Sequence, residues 1–453
     1  MRFEKVTIEN FKNVVHGELT FENKRRPYGP SILALYGQNG SGKSALIDCL
    51  LAFKLLVTGE PLPRRFADYV HKDAEFARFV YEFDHNDGRA KYEVEFRDNE
   101  GAPQLVSETL SYVSDETNRL KTAFTTKGYD EYGPKALQVA MAEGNMPNRK
   151  ELFDKGASLF FSLDIKYPDQ SEWYWLALEI CAFTENEVFV IGTKEAEAIE
   201  SGELVIAYDY VNNSVPFYNP ENGMDVIDYA ETHSIDGEGW KLRISTDSQA
   251  PTLLPKSLCV SLSQGWVKGI NHLIEQLIPG MQLDLVELES GDEDAVPVYI
   301  QSRRGSIAIP LSCESRGVQK LVAIAWMLSG VYNDSSFVAV IDEIDSGVFE
   351  YLLGEILRTV SEEGEGQLIF TSHNLRPLEV MDKGYIAFTT SNPERRYMRL
   401  RNVKATNNLR DFYYRSIYLG GQKESIYDPP TSGDLSMAFM MAGQEIGDSD
   451  DGE

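Results

Sequence analysis

Positive charge is scarce in this chain: 43 Lys and Arg residues stand against 71 Asp and Glu, a formal net charge of −28. DNA, RNA and anionic lipid repel so acidic a surface at long range, which excludes whole-surface attraction and leaves only a local basic groove as a route to them. The same charge keeps an oligomer in solution. Cysteine is rare too. Cys49, Cys181, Cys259 and Cys313 are widely scattered without metal-ligand or redox spacing, so a reducing, cytoplasmic setting is the expectation. Long apolar runs are missing: Leu321–Leu328 falls far short of the ~20 residues of a membrane span. Met1–Phe11 mixes charge with apolar residues, unlike a signal peptide. Heptads and internal repeats are absent, which argues against long coiled-coil arms and solenoids. What is present is a globular balance, 42% hydrophobic and 25% charged over 453 residues, enough for two or three domains.

Arg2–Ile8 alternates like a strand, with Gly17–Phe21 as its antiparallel neighbour, and the turn Arg26–Pro30 leads to an apolar strand, Ser31–Tyr36. A glycine-rich loop and an apolar helix from Lys43 to Leu56 follow. Glu75–Asp84 and Ala90–Arg97 read as a hairpin across Asn86-Asp87-Gly88. The stretch 106–256, rich in Tyr and Trp, reads as an inserted globular subdomain. Regular signals resume with a helix over Gly265–Leu277 and strands at Gln282–Glu289 and Val296–Ile309 around the acidic turn Gly291–Asp294. A long helix, Arg316–Tyr332, precedes a strand at Phe337–Ile341, a helix at Phe349–Val360 and strands at Gln367–Thr371, Tyr385–Thr390 and Tyr397–Leu400. The end, from Gly443, is small, polar and acidic and reads as disordered. The domain expectation is therefore an N-terminal lobe (1–105), the insert (106–256), a C-terminal lobe (257–442) and a tail (443–453).

Gly37-Gln38-Asn39-Gly40-Ser41-Gly42-Lys43-Ser44 fits G-x-x-x-x-G-K-[ST] and lies between an apolar strand and a helix. Its glycines let the backbone wrap an anion with successive N–H groups pointing inward, and the helix N-terminus adds partial positive charge. Lys43 can reach the β- and γ-phosphates, and the Ser44 hydroxyl can ligate Mg²⁺. Phe337–Ile341 is continuously apolar, as a strand buried on both faces should be, and ends in Asp342-Glu343. Beside the phosphate loop, Asp342 can hold Mg²⁺ through its water shell and Glu343 can polarise a water as general base. The next β-rich run delivers Ser372-His373-Asn374, so His373 would emerge at the same sheet edge and could sense the γ-phosphate. Ser315-Arg316-Gly317 opens the long helix. Read alone, Ser315 is as well explained as a simple N-cap as by an anion site. Because one side of the nucleotide is already taken, the second reading requires another subunit to complete the site. Asp345-Ser346-Gly347 would suit the same interface.

Taken in order, these motifs resemble the ABC-type ATPase heads of the Rad50, RecF and SMC superfamily, and within it the compact AAA-15/AAA-21-type ATPases of prokaryotic phage defence. Over 1–83 and 258–419 the resemblance makes Gly37–Ser44 (with Ala45) the Walker A motif, Asp342-Glu343 the Walker B motif with its catalytic glutamate, and His373 the switch histidine. Ser315 and Gly317 become the ABC signature, with Arg316 in place of a glycine, and Asp345 becomes the D-loop. Ile8–Asn13 resembles the family's first-strand motif, in which Lys12 and Asn13 flank the nucleotide base, and Ala67–Lys72 is a candidate Q-loop region. The resemblance implies an α/β P-loop head with an antiparallel β subdomain and an inserted α+β subdomain. It further implies ATP and Mg²⁺ use, slow switch-like turnover, and a homo-oligomer of ATP-sandwich dimers up to a hexamer.

Size and layout are most similar to the ATPase subunits of the PARIS system, paired with a TOPRIM nuclease, and next to those of Septu, paired with an HNH nuclease. Such relatives imply a sensor that controls a separate nuclease effector and answers a phage-encoded trigger. No nuclease motif is visible in the chain itself, and Asp448-Ser449-Asp450 reads as part of the acidic tail. A DNA-repair clamp is the alternative, and it would need the local basic groove, so direct nucleic-acid binding stays open. A transporter subunit ranks last, because the Walker motifs lie roughly 300 residues apart, which suits an inserted head better.

Overall fold

The computed structural model describes residues 1–21, 30–85, 88–114, 119–128, 131–133, 149–161, 176, 180, 189–191, 203–207, 241–290, 294–399, 408–419, 424–426 and 432–447. The chain opens with β1 (Arg2–Phe11) and β2 (Val14–Thr20), an antiparallel pair, followed by β3 (Ser31–Tyr36) and the helix Lys43–Val57. It then lays down β4 (Ala77–His85), β5 (Gly88–Asn99), β6 (Ala102–Ser114), β7 (Leu120–Lys127) and β8 (Glu131–Gly133). These join the first two strands in a seven-stranded antiparallel sheet ordered β2-β1-β4-β5-β6-β7-β8.

This sheet corrects the boundary drawn at residue 105, because β6 runs straight across it and β7 and β8 extend the same ladder. The cause is local. Asn99 pairs with Ala102 across Glu100 (φ 55°) and Gly101 (φ 81°), and two left-handed central residues give the turn whose twist matches the flanking strands. At the preceding hairpin His85 pairs with Gly88, and Asn86 and Asp87 lie outside the described residues, as does the turn over 22–29.

A second sheet is parallel. After β9 (Phe189–Ile191) and a separate pair, β10 (Glu203–Ala207) with β11 (Lys241–Ser245), come β12 (Thr252–Pro255), β13 (Gln282–Glu287), β14 (Ala295–Arg304) and β15 (Ile307–Pro310). The single strand expected over Val296–Ile309 is thus two, folded back at Gly305 (φ 58°). The helix Arg316–Asn333 leads to β16 (Val338–Ile341), the helix Glu350–Glu363 to β17 (Gln367–Thr371), and then β18 (Ile386–Thr389) and β19 (Tyr397–Met398) complete the set. The sheet order is β19-β18-β3-β17-β16-β9, with all neighbours parallel except β18 and β19. Residues 189–191, within the expected insert, therefore form an edge of the core sheet.

Alternation along β3 divides the core. Leu33 and Leu35 face the helix Lys43–Val57 and the aromatic side of the antiparallel sheet, where the helix's Phe53 meets Phe3 and Phe83 edge to face and Tyr81 at a tilt. Ile32, Ala34 and Tyr36 face the helix Arg316–Asn333 and its neighbours. Leu46, Leu50, Phe53 and Leu56 are fully buried, and each such side chain contributes about 1.5–3 kcal/mol relative to exposure. The tail expectation is revised as well: a helix spans Ser432–Gly447, so the first five residues of 443–453 are helical, and 448–453 lie outside the described residues. Among the described residues no helix is long and apolar enough to cross a membrane.

Candidate functional site

Three parallel strands, side by side, bring the motifs to one edge. β17 lies between β3 and β16, with Thr371 opposite Leu35 and Phe370 opposite both Ala34 and Ile341. The chain leaves β3 into the phosphate loop, β16 into Asp342-Glu343 and β17 into Ser372-His373, all at the carboxyl edge where open α/β sheets bind ligands. There a cavity of about 360 Å³ is lined on one side by Asn39, Gly40, Gly42, Lys43, Ser44 and Ala45. Asp342, Glu343 and His373 line it as well, and Lys12 with Asn13 make up the third side. A larger groove, about 620 Å³, runs past Lys268, Asn271 and Asp284, away from the phosphate loop and from these groups. The smaller cavity is the one that the phosphate loop and the acidic pair share.

The loop is held from behind by residues that sequence reasoning missed. A Cβ on Gly37 would lie 1.6 Å from Thr389 Oγ1, so only glycine fits there. The Ser41 and Thr389 hydroxyls bond each other, and Ser41 Oγ also donates to the Gln38 carbonyl at 2.6 Å. Tyr397 OH donates to the carbonyl of Gly42 at 2.8 Å, and Gly42, at φ 97°, begins the helix in the left-handed region. Arg396 packs its Cγ and Cδ against Gly42. None of this is visible in a motif, since Thr389–Tyr397 lie some 350 residues from the loop.

Lys43 is buried, and its Nζ donates to the carbonyls of Gly37 at 2.9 Å and Gln38 at 3.0 Å, not to a carboxylate. Burial pulls the Lys43 ammonium below its ordinary pKa, an effect opposed by the nearby Asp342, Glu343 and Asp345. The acidic pair is organised by Thr371 of β17. Its hydroxyl donates to Asp342 Oδ1 and accepts the Glu343 N–H at 2.8 Å. Glu343 sits at φ 46°, a left-handed conformation costing a non-glycine residue roughly 1–2 kcal/mol, and this hydrogen bond helps hold it there. Lys320, from the helix Arg316–Asn333, donates to the Asp342 carbonyl at 3.3 Å.

On the third side Lys12 is at φ 53° and pairs with Asp48 of the helix Lys43–Val57, while its Nζ lies 4.3 Å from the centre of the Tyr69 ring. Ala67–Lys72 contains no glutamine. It supports the Lys12 turn instead, with the Lys12 N–H donating to Tyr69 O at 2.6 Å and the His71 N–H to Asn10 O at 2.9 Å.

Ser315, Gly317 and Asp345 lie outside this cavity. Ser315 caps the helix Arg316–Asn333, its side chain accepting from the Val318 N–H at 3.4 Å. Gly317 touches Gly347 so closely that a Cβ would come within 2.2 Å of the Gly347 carbonyl, which makes the 345–347 turn and the helix start one continuous surface. The Asp345 carboxylate accepts the N–H groups of His373 at 3.2 Å and Asn374 at 3.0 Å, tying that turn to the His373 loop. The side-chain amide of Gln319 folds back onto the Ser312 and Glu314 carbonyls, at 2.9 and 3.0 Å, and shapes the loop before Ser315.

A phosphate loop on β3, an acid-tipped β16 separated from it by β17, and an antiparallel sheet across the first helix define a P-loop ATPase head of the ABC type in fold. The chain also has likenesses among known proteins. Residues 5–151, about a third of the chain, match the AAA_23 family model, an AAA domain. Among solved structures, the chain is similar to an Smc head bound to the C-winged helix domain of ScpA (14% identity, TM-score 0.48, 88% of this chain and 98% of that one). It is also similar to the SMC head domain from Thermotoga maritima (16% identity, TM-score 0.39, 88% and 100% covered). A third likeness is an Smc head with an extended coiled coil bound to the C-terminal domain of ScpA derived from Pyrococcus furiosus (13% identity, TM-score 0.40, 88% and 96% covered). No curated protein matches the chain.

Proposed function

We propose that this chain binds and hydrolyses ATP with Mg²⁺, closes head to tail with a second copy around two nucleotides, and serves as the regulatory subunit of an anti-phage complex whose damage is done by a separate nuclease. The observation that carries the nucleotide reading is the convergence of Lys43, Asp342, Glu343 and His373 on one cavity that the phosphate loop also lines. The donor set fits a magnesium nucleotide. Lys43 is a buried cation hydrogen-bonded to carbonyls and not to a carboxylate, and Ser44 shares the cavity with Asp342. Ser44 and Asp342 would hold Mg²⁺, which when bound would neutralise charge on the terminal phosphates.

The residues of the chain do the rest. Gly37, Asn39, Gly40, Ser41, Gly42 and Ala45 shape and terminate the loop that wraps the phosphates, and Lys43 meets the β- and γ-oxygens. Lys12 and Asn13 border the base. Glu343 accepts a proton from the attacking water, and His373 contacts the γ-phosphate. Rate enhancement comes from this preorganised charge, without a covalent intermediate. Ser315, exposed, and Gly317, half-buried against the Asp345 turn, lie away from their own cavity and suit the γ-phosphate of a second copy. The regulatory role is supported by the acidic composition, the absence of heptads and of a nuclease motif from the sequence, and the resemblance to the PARIS and Septu ATPases. The domain division carries over with β6–β8 counted in the N-terminal lobe.

The test has two arms. Purified protein with magnesium should retain ATP at millimolar concentration; failure to do so removes the nucleotide reading. Phage plating on a host carrying the chain together with the genes that flank its own should show protection that Glu343→Gln abolishes. Tight, salt-sensitive duplex DNA binding without any partner would instead favour a DNA-repair clamp.

A further inference from the structure

Arg396 is 6% exposed, and no carboxylate pairs with it among the described residues. Its Nη1 donates to the Thr390 carbonyl at 2.7 Å and its Nη2 to the carbonyl of Asn13, while Nε has no hydrogen-bond partner among the described residues. The aliphatic part of the side chain lies against Gly42: a Cβ there would be 3.1 and 3.2 Å from Arg396 Cγ and Cδ. Its backbone is fixed as well, the N–H donating to His16 O at 3.1 Å and the carbonyl accepting from Thr390 N at 2.8 Å. The guanidinium therefore bridges the turn that closes one wall of the cavity and the strand behind the phosphate loop.

A buried cation with only carbonyl partners is costly, because carbonyl dipoles replace hydration but leave the net charge unbalanced. Burial also pushes the Arg396 guanidinium below its ordinary pKa. The same imbalance is useful beside a site for a polyanion, since an uncompensated charge in a poorly solvated region acts over a longer range than one in water. A purely structural tie between two carbonyls would not require a charge.

We propose that Arg396 is a positioning residue for the nucleotide: it fixes the Lys12-Asn13 turn against Gly42, and its unpaired charge draws the triphosphate to the loop. This rests on the nucleotide reading above and deepens it. The charge component predicts an effect graded by phosphate number, which loss of packing alone does not produce.

The experiment compares Mg-ATP and Mg-ADP affinity by calorimetry for the wild-type chain, Arg396→Met and Arg396→Lys, with thermal melting as the measure of folding. Arg396→Met should weaken ATP by about tenfold and ADP by clearly less, whereas Arg396→Lys should stay within about threefold of wild type for both. Equal weakening of ATP and ADP by Arg396→Met, or no weakening in a folded variant, overturns the proposal. Should Arg396→Met not fold, Arg396→Lys decides: retained preference for ATP over ADP supports the charge, and its loss in a folded protein refutes it. A wild-type chain that binds neither nucleotide removes the parent reading. One that binds both while the variants are indistinguishable removes this inference alone.

Discussion

Gly37→Ala tests the backing of the phosphate loop. The added Cβ would stand 1.6 Å from Thr389 Oγ1, 2.8 Å from Ser41 Oγ and 2.9 Å from Thr389 Cβ. Thr389 cannot turn away easily, since it is fully buried, β-branched and bonded to Ser41. The loop must move instead, at an overpacking cost of about 1–3 kcal/mol. If that cost falls on the conformation that grips phosphate, ATP affinity drops by roughly 5- to 150-fold. Thr389→Ala removes the nearest atom but leaves a Cβ at 2.9 Å, so the double variant should recover part of the loss and Thr389→Gly more of it. The measurement is a Mg-ATP titration of the wild type, both single variants and the double variant, with melting curves alongside. A coupling of about 0.5–3 kcal/mol is expected for residues in direct contact. Wild-type affinity in Gly37→Ala, or strictly additive behaviour with Thr389→Ala, would show that the two strand ends do not meet as described.

Further expectations concern chemistry and stability. Glu343→Gln should nearly abolish phosphate release while ATP stays bound, and sizing chromatography with ATP should show a longer-lived pair; unchanged turnover would remove Glu343 from the mechanism. Thr371→Val deprives the Glu343 N–H of its acceptor and Asp342 of its donor, so turnover should fall more than ATP affinity, with a stability loss of about 1–3 kcal/mol for the orphaned amide. Because burial lowers the Lys43 pKa, its ammonium loses charge earlier in alkaline solution than an exposed lysine; as pH is raised, ATP affinity should fall sooner than an ordinary lysine would allow, and Lys43→Ala should be weak at every pH. Glu108 is fully buried and accepts from Tyr92 OH, Ser158 Oγ and the N–H groups of Leu159 and Phe160, so Glu108→Ala should lower stability by about 1–3 kcal/mol for each buried donor left without an acceptor, read in denaturant melts.

Much of the frame was legible because its signals are local. Ser31–Tyr36 and Gln367–Thr371 fall where the apolar runs put them, and the first helix starts at Lys43 as the glycine-rich loop before it implies. Asp342 and His373 could be placed at one edge because short apolar strands ending in polar residues leave few alternatives in a parallel sheet. The hairpin through Glu100-Gly101 was missed because a lone glycine after a charged residue is a weak turn signal, and the expected subdomain boundary was consequently misplaced. The helix Ser432–Gly447 was missed at its end, where glycine and acid suggest disorder but the apolar run before them extends the helix. Thr371, Thr389, Arg396 and Tyr397 were illegible for a different reason. They act on residues far away in sequence, and an isolated Thr, Arg or Tyr carries no pattern that announces its contact.

The helix Lys43–Val57 has one further consequence. With 12 of its 15 residues buried, it works as a spindle clamped between two plates. A push on its first turn, where Lys43 and Ser44 meet the cavity, cannot be absorbed by solvent-facing slack and must be shared by both plates. The outer plate, running from β2 to β8, is thereby mechanically geared to events at the cavity mouth, beyond the direct contact that the Lys12-Asn13 turn between its first two strands makes there.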